Sequence, residues 1–520
     1  MGKVEWAVPA SKGSPPSARS GHTLTAVGRR AFVFGGCGAL PGGKGGGAFN
    51  DLHCFELGDF VEWRKLEPNG DLPPPRWRHS ATAIDEHTFV LFGGLNKGQR
   101  YSDVYTFDTD TNTWACIDCK GSTPPSRAHH TATAAGRQLY VFGGYGGGGK
   151  FFNDVHALDL DSWTWSKINA KGNPPAPRSD HSASLCGTKL VIYGGQDGKT
   201  YYNDLFVFDT VSQTWSKGNG DDAAPPATPA APGNNNANAA NSAAPTPSFM
   251  KPICSHVSEC VPSVPNAKMF IFGGRRGAFM DYTNSVAVLD AGTMSWTEPG
   301  VTSTPPTARE DAGLAYDAKT SRLFVFGGWS NRWLGDIYTL NVAEIIGPPY
   351  AVLSIEPALG PVSGGTLITI SGLNFFNTTK VQVKFLYGNS EVIVPGSFVK
   401  ETELTCKTPN FEKYGSQEVD VRVALGDKTY NLQQTTFSYF DETKANKCIA
   451  YGPGLLEQCF AGIPYPFVIQ AKDGTNSNRS SGGDVFKIEG TCAEHAVQAR
   501  LIDHKDGTYD VTIVYPFVGD

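Results

Sequence analysis

Six pairs of adjacent glycines, at 35–36, 93–94, 143–144, 194–195, 273–274 and 327–328, punctuate the first two thirds of the chain at intervals of about 50 residues, widened once between the fourth and fifth. Each pair follows a short apolar run such as Leu139-Tyr140-Val141-Phe142, and a run of that length bounded by glycine reads as a buried strand rather than a helix. In the third copy a second strand follows at Val155 to Asp159, and then an outer-strand tryptophan, Trp165. The links between copies are more regular still: Trp6 to Arg19, Trp63 to Arg76, Trp114 to Arg127, Trp165 to Arg178 and Trp296 to Arg309 each span 13 residues. Such repetition points to an array whose units bury their apolar faces against one another.

These residues resemble the Kelch repeat, and the resemblance implies four-stranded blades set radially about a central axis. The sixth copy, Arg309 to Leu340, has no tryptophan at the usual interval after Asp336. Trp6 fits that vacancy, so the segment Val4 to Trp6 is expected to lend the sixth blade its outer strand and close the ring. In the fifth copy, Ala223 to Ser248 is almost entirely Ala, Pro, Asn, Gly and Thr, too poor in apolar side chains to fold, and about 218–250 reads as a disordered insertion. Cys254-Ser255-His256 resumes the repeat with its arginine replaced.

A second sequence type begins after Ile346-Gly347-Pro348-Pro349. The run Ile355 to Thr366, the alternating Leu367-Ile368-Thr369-Ile370, Ser371-Gly372-Leu373-Asn374-Phe375, Cys406-Lys407-Thr408-Pro409 and Thr436-Phe437-Ser438-Tyr439 resemble an IPT/TIG domain, an immunoglobulin-like sandwich, over 350–441. A third type, Tyr451-Gly452-Pro453-Gly454-Leu455 with Asp506-Gly507-Thr508-Tyr509, resembles a filamin repeat over 446–520, without that family's last strand, so the parent chain is expected to continue. The fold class expected is all-β: a six-bladed propeller over 1–346, closed by the N-terminal strand and followed by two immunoglobulin-like β-sandwich domains.

With 44 basic against 50 acidic residues, the net charge of −6 argues against a general nucleic-acid binder. The acidic residues Glu391, Glu401, Glu403, Glu412, Glu418 and Asp420 argue the same for the TIG-like segment. No run of about 18 apolar residues and no signal-peptide core occurs, so a soluble cytoplasmic protein without membrane partners is expected. Eleven cysteines without a repeating spacing imply reduced thiols rather than a disulfide framework. Cys116 and Cys119 form a lone C-x-x-C, but side chains three apart on an extended strand face opposite ways, which disfavours metal.

A residue present in every blade serves the blade, whereas a residue unique to one blade is available to a site. By this rule the double glycines, the set His22, His79, His130 and His181, and the tryptophans are structural, while the repeated arginines are structural or line one mouth of the ring. The run Gly146 to Gly149 lacks the helix and Lys-Ser/Thr of a phosphate loop. No nucleophile motif occurs, and the copper-ligand constellation of a galactose-oxidase-like propeller cannot be matched. No catalytic residue, cofactor or metal is therefore assigned.

What remains is a protein-binding scaffold or adaptor. Kelch and filamin-type modules occur in cytoskeletal assemblies, so a cytoskeletal or axonemal setting is the leading expectation, ahead of a substrate-recognition adaptor in a signalling or degradation complex and of a propeller enzyme. The loops between the second and third strands of each blade emerge on one face and interleave cations with aromatics. The candidate protein-binding residues there are Arg100, Lys150, Phe151, Lys199, Tyr201, Arg275, Arg276, Trp329 and Arg332, a composition suited to interface hot spots and to an acidic partner segment, such as the tail of a cytoskeletal polymer.

Overall fold

The computed structural model describes residues 2–515 except 41–44, 219–250, 278–280, 427–429, 434, 441–442, 456–459, 474–475, 480–481, 490 and 493–494. The insertion expected at 218–250 lies outside the described residues but for Gly218. The chain divides into two compact units, Met1–Pro348 and Pro349–Asp520. No helix among the described residues is long and apolar enough to cross a membrane.

In the first unit each glycine pair sits where the second strand of a blade ends. In the third blade the inner strand Thr131–Ala135 pairs antiparallel with Gln138–Phe142, which pairs with Val155–Asp159, which pairs with the outer strand Thr164–Lys167. Both glycines take left-handed backbone, φ 62° and 101° at Gly143 and Gly144, a conformation that side chains rarely adopt. Four blades exceed the expected four strands: the segment entering the blade adds a fifth strand parallel to the outer one, as Ala10–Gly13 does along Phe60–Leu66. The added strand covers backbone groups that an edge would leave unpaired.

The inner strands of neighbouring blades contact one another around a complete circle, from Thr23–Val27 to Gly313–Asp317 and back. The circle closes as the sequence implied. Lys3–Ala7 joins the sixth blade antiparallel to Trp333–Asn341, with Trp6 opposite Leu340. Its indole, 4% exposed, lies 4.9 Å from the Phe272 ring of the fifth blade. The same junction repeats around the ring: Trp63 with Phe326, Trp114 with Phe34, Trp165 with Phe92, Trp215 with Phe142 and Trp296 with Tyr193, at centroid distances of 4.8–5.2 Å.

One expectation about the thiols is corrected. Cys186 and Cys260, at the ends of adjacent inner strands with Cα atoms 5.8 Å apart, form a disulfide between the fourth and fifth blades. A pairing between residues 74 apart leaves no local spacing to read. Seven other described cysteines are free thiols.

In the second unit, eight strands build the TIG-like sandwich, and the long strand Ser390–Lys400 serves both layers. Its first half pairs with Val381–Tyr387 and its second half with Glu403–Lys407, around a core that includes Ile370, Phe385 and Phe437. Farther along, Ile449–Tyr451, Pro464–Gln470, Thr508–Val514 and Gln498–Asp503 form a four-stranded sheet over Phe467, Tyr509 and Val511.

Candidate functional site

The repeated arginines belong to the scaffold. Arg19, Arg76, Arg127, Arg178 and Arg309 are 0% exposed. Each donates to the carbonyl of the first glycine of its pair at 2.9 Å and, through both terminal nitrogens, to an aspartate: Asp51, Asp103, Asp154, Asp204 and Asp336, with Nη1–Oδ1 distances of 2.5–2.7 Å. Tyr101, Phe152 and Tyr202 lie against these guanidiniums, 4.2–4.3 Å from guanidinium carbon to ring centroid, so the aromatic that ends each of these three loops is a structural underlay. The repeated histidines stitch blades together, since their Nε2 atoms meet hydroxyls of the preceding blade: Thr23 for His79, Ser80 for His130, Thr131 for His181 and Ser182 for His256, at 2.8–3.3 Å. Burial pushes His22, His181 and His256 down to about 3 and holds them neutral.

On the loop face, Lys97, Lys150, Lys199 and Arg332 are exposed. Arg100 is half-buried, its guanidinium 4.7 Å from the Tyr145 ring, which in turn lies 4.9 Å from Phe151. Phe151 reaches the turn at Gly198, beside Lys199, so the loops of the third and fourth blades meet. Arg275 is not a free rim charge: it donates to Glu310 Oε2 at 3.2 Å and lies 5.7 Å from the Tyr201 ring. Arg276 donates to Ser285 Oγ at 3.2 Å. The indole N–H of Trp329 donates to the Tyr282 hydroxyl at 3.1 Å, and its ring meets Trp333 edge-on. The nine residues thus fall into one group around Tyr145 and Phe151, a second around the Arg275–Glu310 pair, and the exposed Arg332.

The axial mouth of the same face carries a cluster that the loop argument missed. The position before the repeated histidine is Gly21, Arg78, His129, Asp180, Ser255 or Asp311, and all six residues are left-handed, φ 51° to 61°. That conformation aims each backbone at its neighbour. Gly21 N–H donates to Asp311, Arg78 to Gly21, His129 to Arg78, Asp180 to His129, Ser255 to Asp180 and Asp311 to Ser255, a closed ring of hydrogen bonds of 2.6–3.1 Å. Above it the Arg78 guanidinium bonds both Asp180 and Asp311, and His129 meets Asp180 at 2.5 Å. Burial would raise Asp180, but His129, Arg78 and a bond from Ser179 hold it well below the usual carboxylate range. Arg78 and His129 act on Asp311 too, but burial, reinforced by the nearby Glu310 and Asp180 carboxylates, pushes it up to about 6. The signal was present in the sequence: charge varies here while both flanks repeat. Among the described residues, no group of three or more His, Cys, Asp or Glu is placed to hold a metal.

Comparison with known proteins agrees with this architecture. A family model described as the KLHDC2/KLHL20/DRC7 Kelch-repeats domain matches residues 1–144, 90–231 and 236–345, an IPT/TIG domain matches 350–439, and a filamin/ABP280 repeat matches 442–520. The chain is 41% identical over 534 aligned positions to the dynein alpha chain of the flagellar outer arm from Chlamydomonas reinhardtii, an alignment covering 99% of this chain and 11% of that protein. It is 35% identical to Kelch domain-containing protein 3 from Bos taurus, over 34% of this chain and 48% of that one. It is also 35% identical to the Rab9 effector protein with kelch motifs from Bos taurus, over 38% and 54%. The chain therefore spans about a tenth of the dynein relative and about half of the other two.

Proposed function

Because this chain belongs to the Kelch-repeat family, its propeller followed by a TIG domain and a filamin repeat, we propose that it is a non-enzymatic scaffold that holds other proteins within an axonemal, dynein-containing assembly. The observation that carries this reading is the span of the dynein match: 41% identity across 99% of the chain, through all three modules in one order. The Kelch domain-containing and Rab9-effector relatives align with little more than a third of the chain, so the adaptor reading has less behind it. The contact surface proposed is the loop face, where exposed Lys97, Lys150, Lys199 and Arg332 stand beside Phe151, Tyr201 and Trp329. Cations raise the encounter rate with an acidic segment, and half-buried aromatics supply contact area at small entropic cost.

Crosslinking of axonemes isolated from cells that express the endogenous full-length protein, followed by mass spectrometry, tests both parts. The expected result is a set of crosslinks from Lys97, Lys150 and Lys199 to acidic segments of axonemal proteins. Absence of the protein from axonemes would overturn the setting. Axonemal crosslinks confined to residues 350–520 would overturn the loop face alone.

A further inference from the structure

The inner strands enclose a cavity of about 500 Å³ on the propeller axis, and one charged side chain, Glu259, lines it. Glu259 occupies the position that is Thr25, Thr82, Thr133, Ser184 and Ala315 in the other blades. Ala26, Ala83 and Ala134, one position farther along their strands, leave the space open, and Leu185 and Tyr316 line it from the strands on either side. Thr25, Thr82 and Ser184 also line the cavity, but their hydroxyls are engaged between blades, with the carbonyls of Ala81 and Ala132 and with Ser258. Among the described residues no hydrogen bond or ion pair reaches the Glu259 carboxylate. Lys268, on the strand paired with that of Glu259, is bonded to Asp290. Of the other ionisable types in the wall, Cys260 is in the disulfide and the Tyr316 phenol is raised by burial. The ring of left-handed residues lies at the start of the inner strands, so the cavity is entered from the opposite end, where those strands turn into the second strands and Pro262 lines the wall.

We propose that this axial cavity is a receptor for a single alkylammonium group, whose charge pairs with Glu259 and whose carbon stem lies against Ala26, Ala83, Ala134 and Leu185. A half-buried carboxylate that faces a cavity without a protein partner is left uncompensated, and a cation that enters supplies the missing charge. The one carboxylate of the wall suits the point charge of an ammonium on a stem of a few methylenes better than the planar donor fork of a guanidinium. Free small amines and a lysine side chain on a partner protein share this chemistry. Burial pushes the Glu259 carboxyl up to about 7, so occupancy should rise with pH across neutrality.

The test is calorimetry of the full chain with n-butylammonium chloride and with Nα-acetyl-lysine methylamide, against the neutral analogues butanol and Nα-acetyl-norleucine methylamide. Saturable binding of either ammonium probe, about tenfold weaker at pH 6 than at pH 8 and abolished by Glu259→Gln, is the expected result. Binding of the lysine derivative alone would identify a partner's side chain as the source, and binding of butylammonium alone a free amine. A second variant, Ala83→Leu, keeps the carboxylate but fills the cavity and should also abolish binding. Equal binding of the neutral analogues, retention of ammonium binding in Glu259→Gln, or no saturable binding to the folded protein would each overturn the proposal.

Discussion

In the fifth blade Ile253 and Ser285 occupy the positions at which the other five blades hold a buried arginine and its aspartate partner. The two members of the ion pair are absent together. Either one alone would leave a desolvated group without its counterpart, whereas the joint replacement leaves only an apolar side chain and a hydroxyl, to which Arg276 donates from the neighbouring loop.

Breaking one such pair in another blade should therefore cost more than removing it whole. Arg127→Ile alone is expected to destabilise the propeller by about 3–5 kcal/mol, and Asp154→Ser alone by a comparable amount. The double variant should lose clearly less than the sum, which denaturant midpoints of the four proteins would show. Strict additivity would mean that the pair is not coupled.

Acid should unfold the ring through its neutral histidines. Their folded-state values lie below the ordinary 6.5, at about 3 for His22, His181 and His256 and well below 6.5 for His79 and His130. The unfolded chain then binds more protons between those limits. Stability is fully present above about pH 6.5 and is lost as the pH falls toward 3, by about 1.4 kcal/mol per pH unit for each histidine. His181→Gln should flatten the dependence of unfolding free energy on pH by about one proton between pH 4 and 6.

Glu259 gives the opposite sign at neutral pH. Its folded-state value, about 7, exceeds the ordinary 4.5, so its burden on the fold appears as the pH rises from 4.5 and is complete above 7. Glu259→Gln should stabilise the ligand-free protein at pH 8 by about 2 kcal/mol, a gain that shrinks as the pH falls toward 4.5. Thermal unfolding at the two ends of that range measures it.

Closure of the ring depends on a strand remote in sequence from its partner. Trp6→Ala should cost about 3–5 kcal/mol through the void left beside Phe272 and Tyr338. Deleting residues 1–10 should lower the melting temperature of the whole propeller, because the fifth and sixth blades both lose a packing surface. An unchanged transition would show that the ring holds without this strand.

On the loop face, reversing the exposed cations and reversing the partnered one should have different effects. Lys97→Glu, Lys150→Glu, Lys199→Glu and Arg332→Glu together should slow association with an acidic partner segment and flatten its salt dependence while leaving stability within about 0.5 kcal/mol per site. Arg275→Glu should instead destabilise the fold, since it sets two carboxylates against each other at Glu310. Association rates at two ionic strengths, read beside melting temperatures, separate the cases.

The repeated residues were legible because each does the same local work in every blade: the strand that ends at a glycine pair, the tryptophan at a blade junction, and the vacancy that Trp6 fills follow from spacing along the chain. The fifth strand of four blades was not legible, since two-residue pairings such as Asn69–Gly70 with Thr113–Trp114 have too little pattern to stand out. Nor could the placement of Arg275 against Glu310 be read, because the spacing of 35 residues between them belongs to no repeat.

The sequence by itself determined the number of blades, the strand that closes the ring, and the order of the three modules, because period and spacing are one-dimensional properties and a repeating unit has only its neighbours to pack against. Only the tertiary structure decided which unrepeated residues meet on the axis. Arg78 reaches Asp180 and Asp311 across 102 and 233 residues, and Glu259 shares one cavity with Ala26, Ala83 and Ala134 of other blades, because closing the ring brings the inner strands together on one axis whatever side chains they carry. Rotation about an axis, rather than separation along the chain, sets those distances.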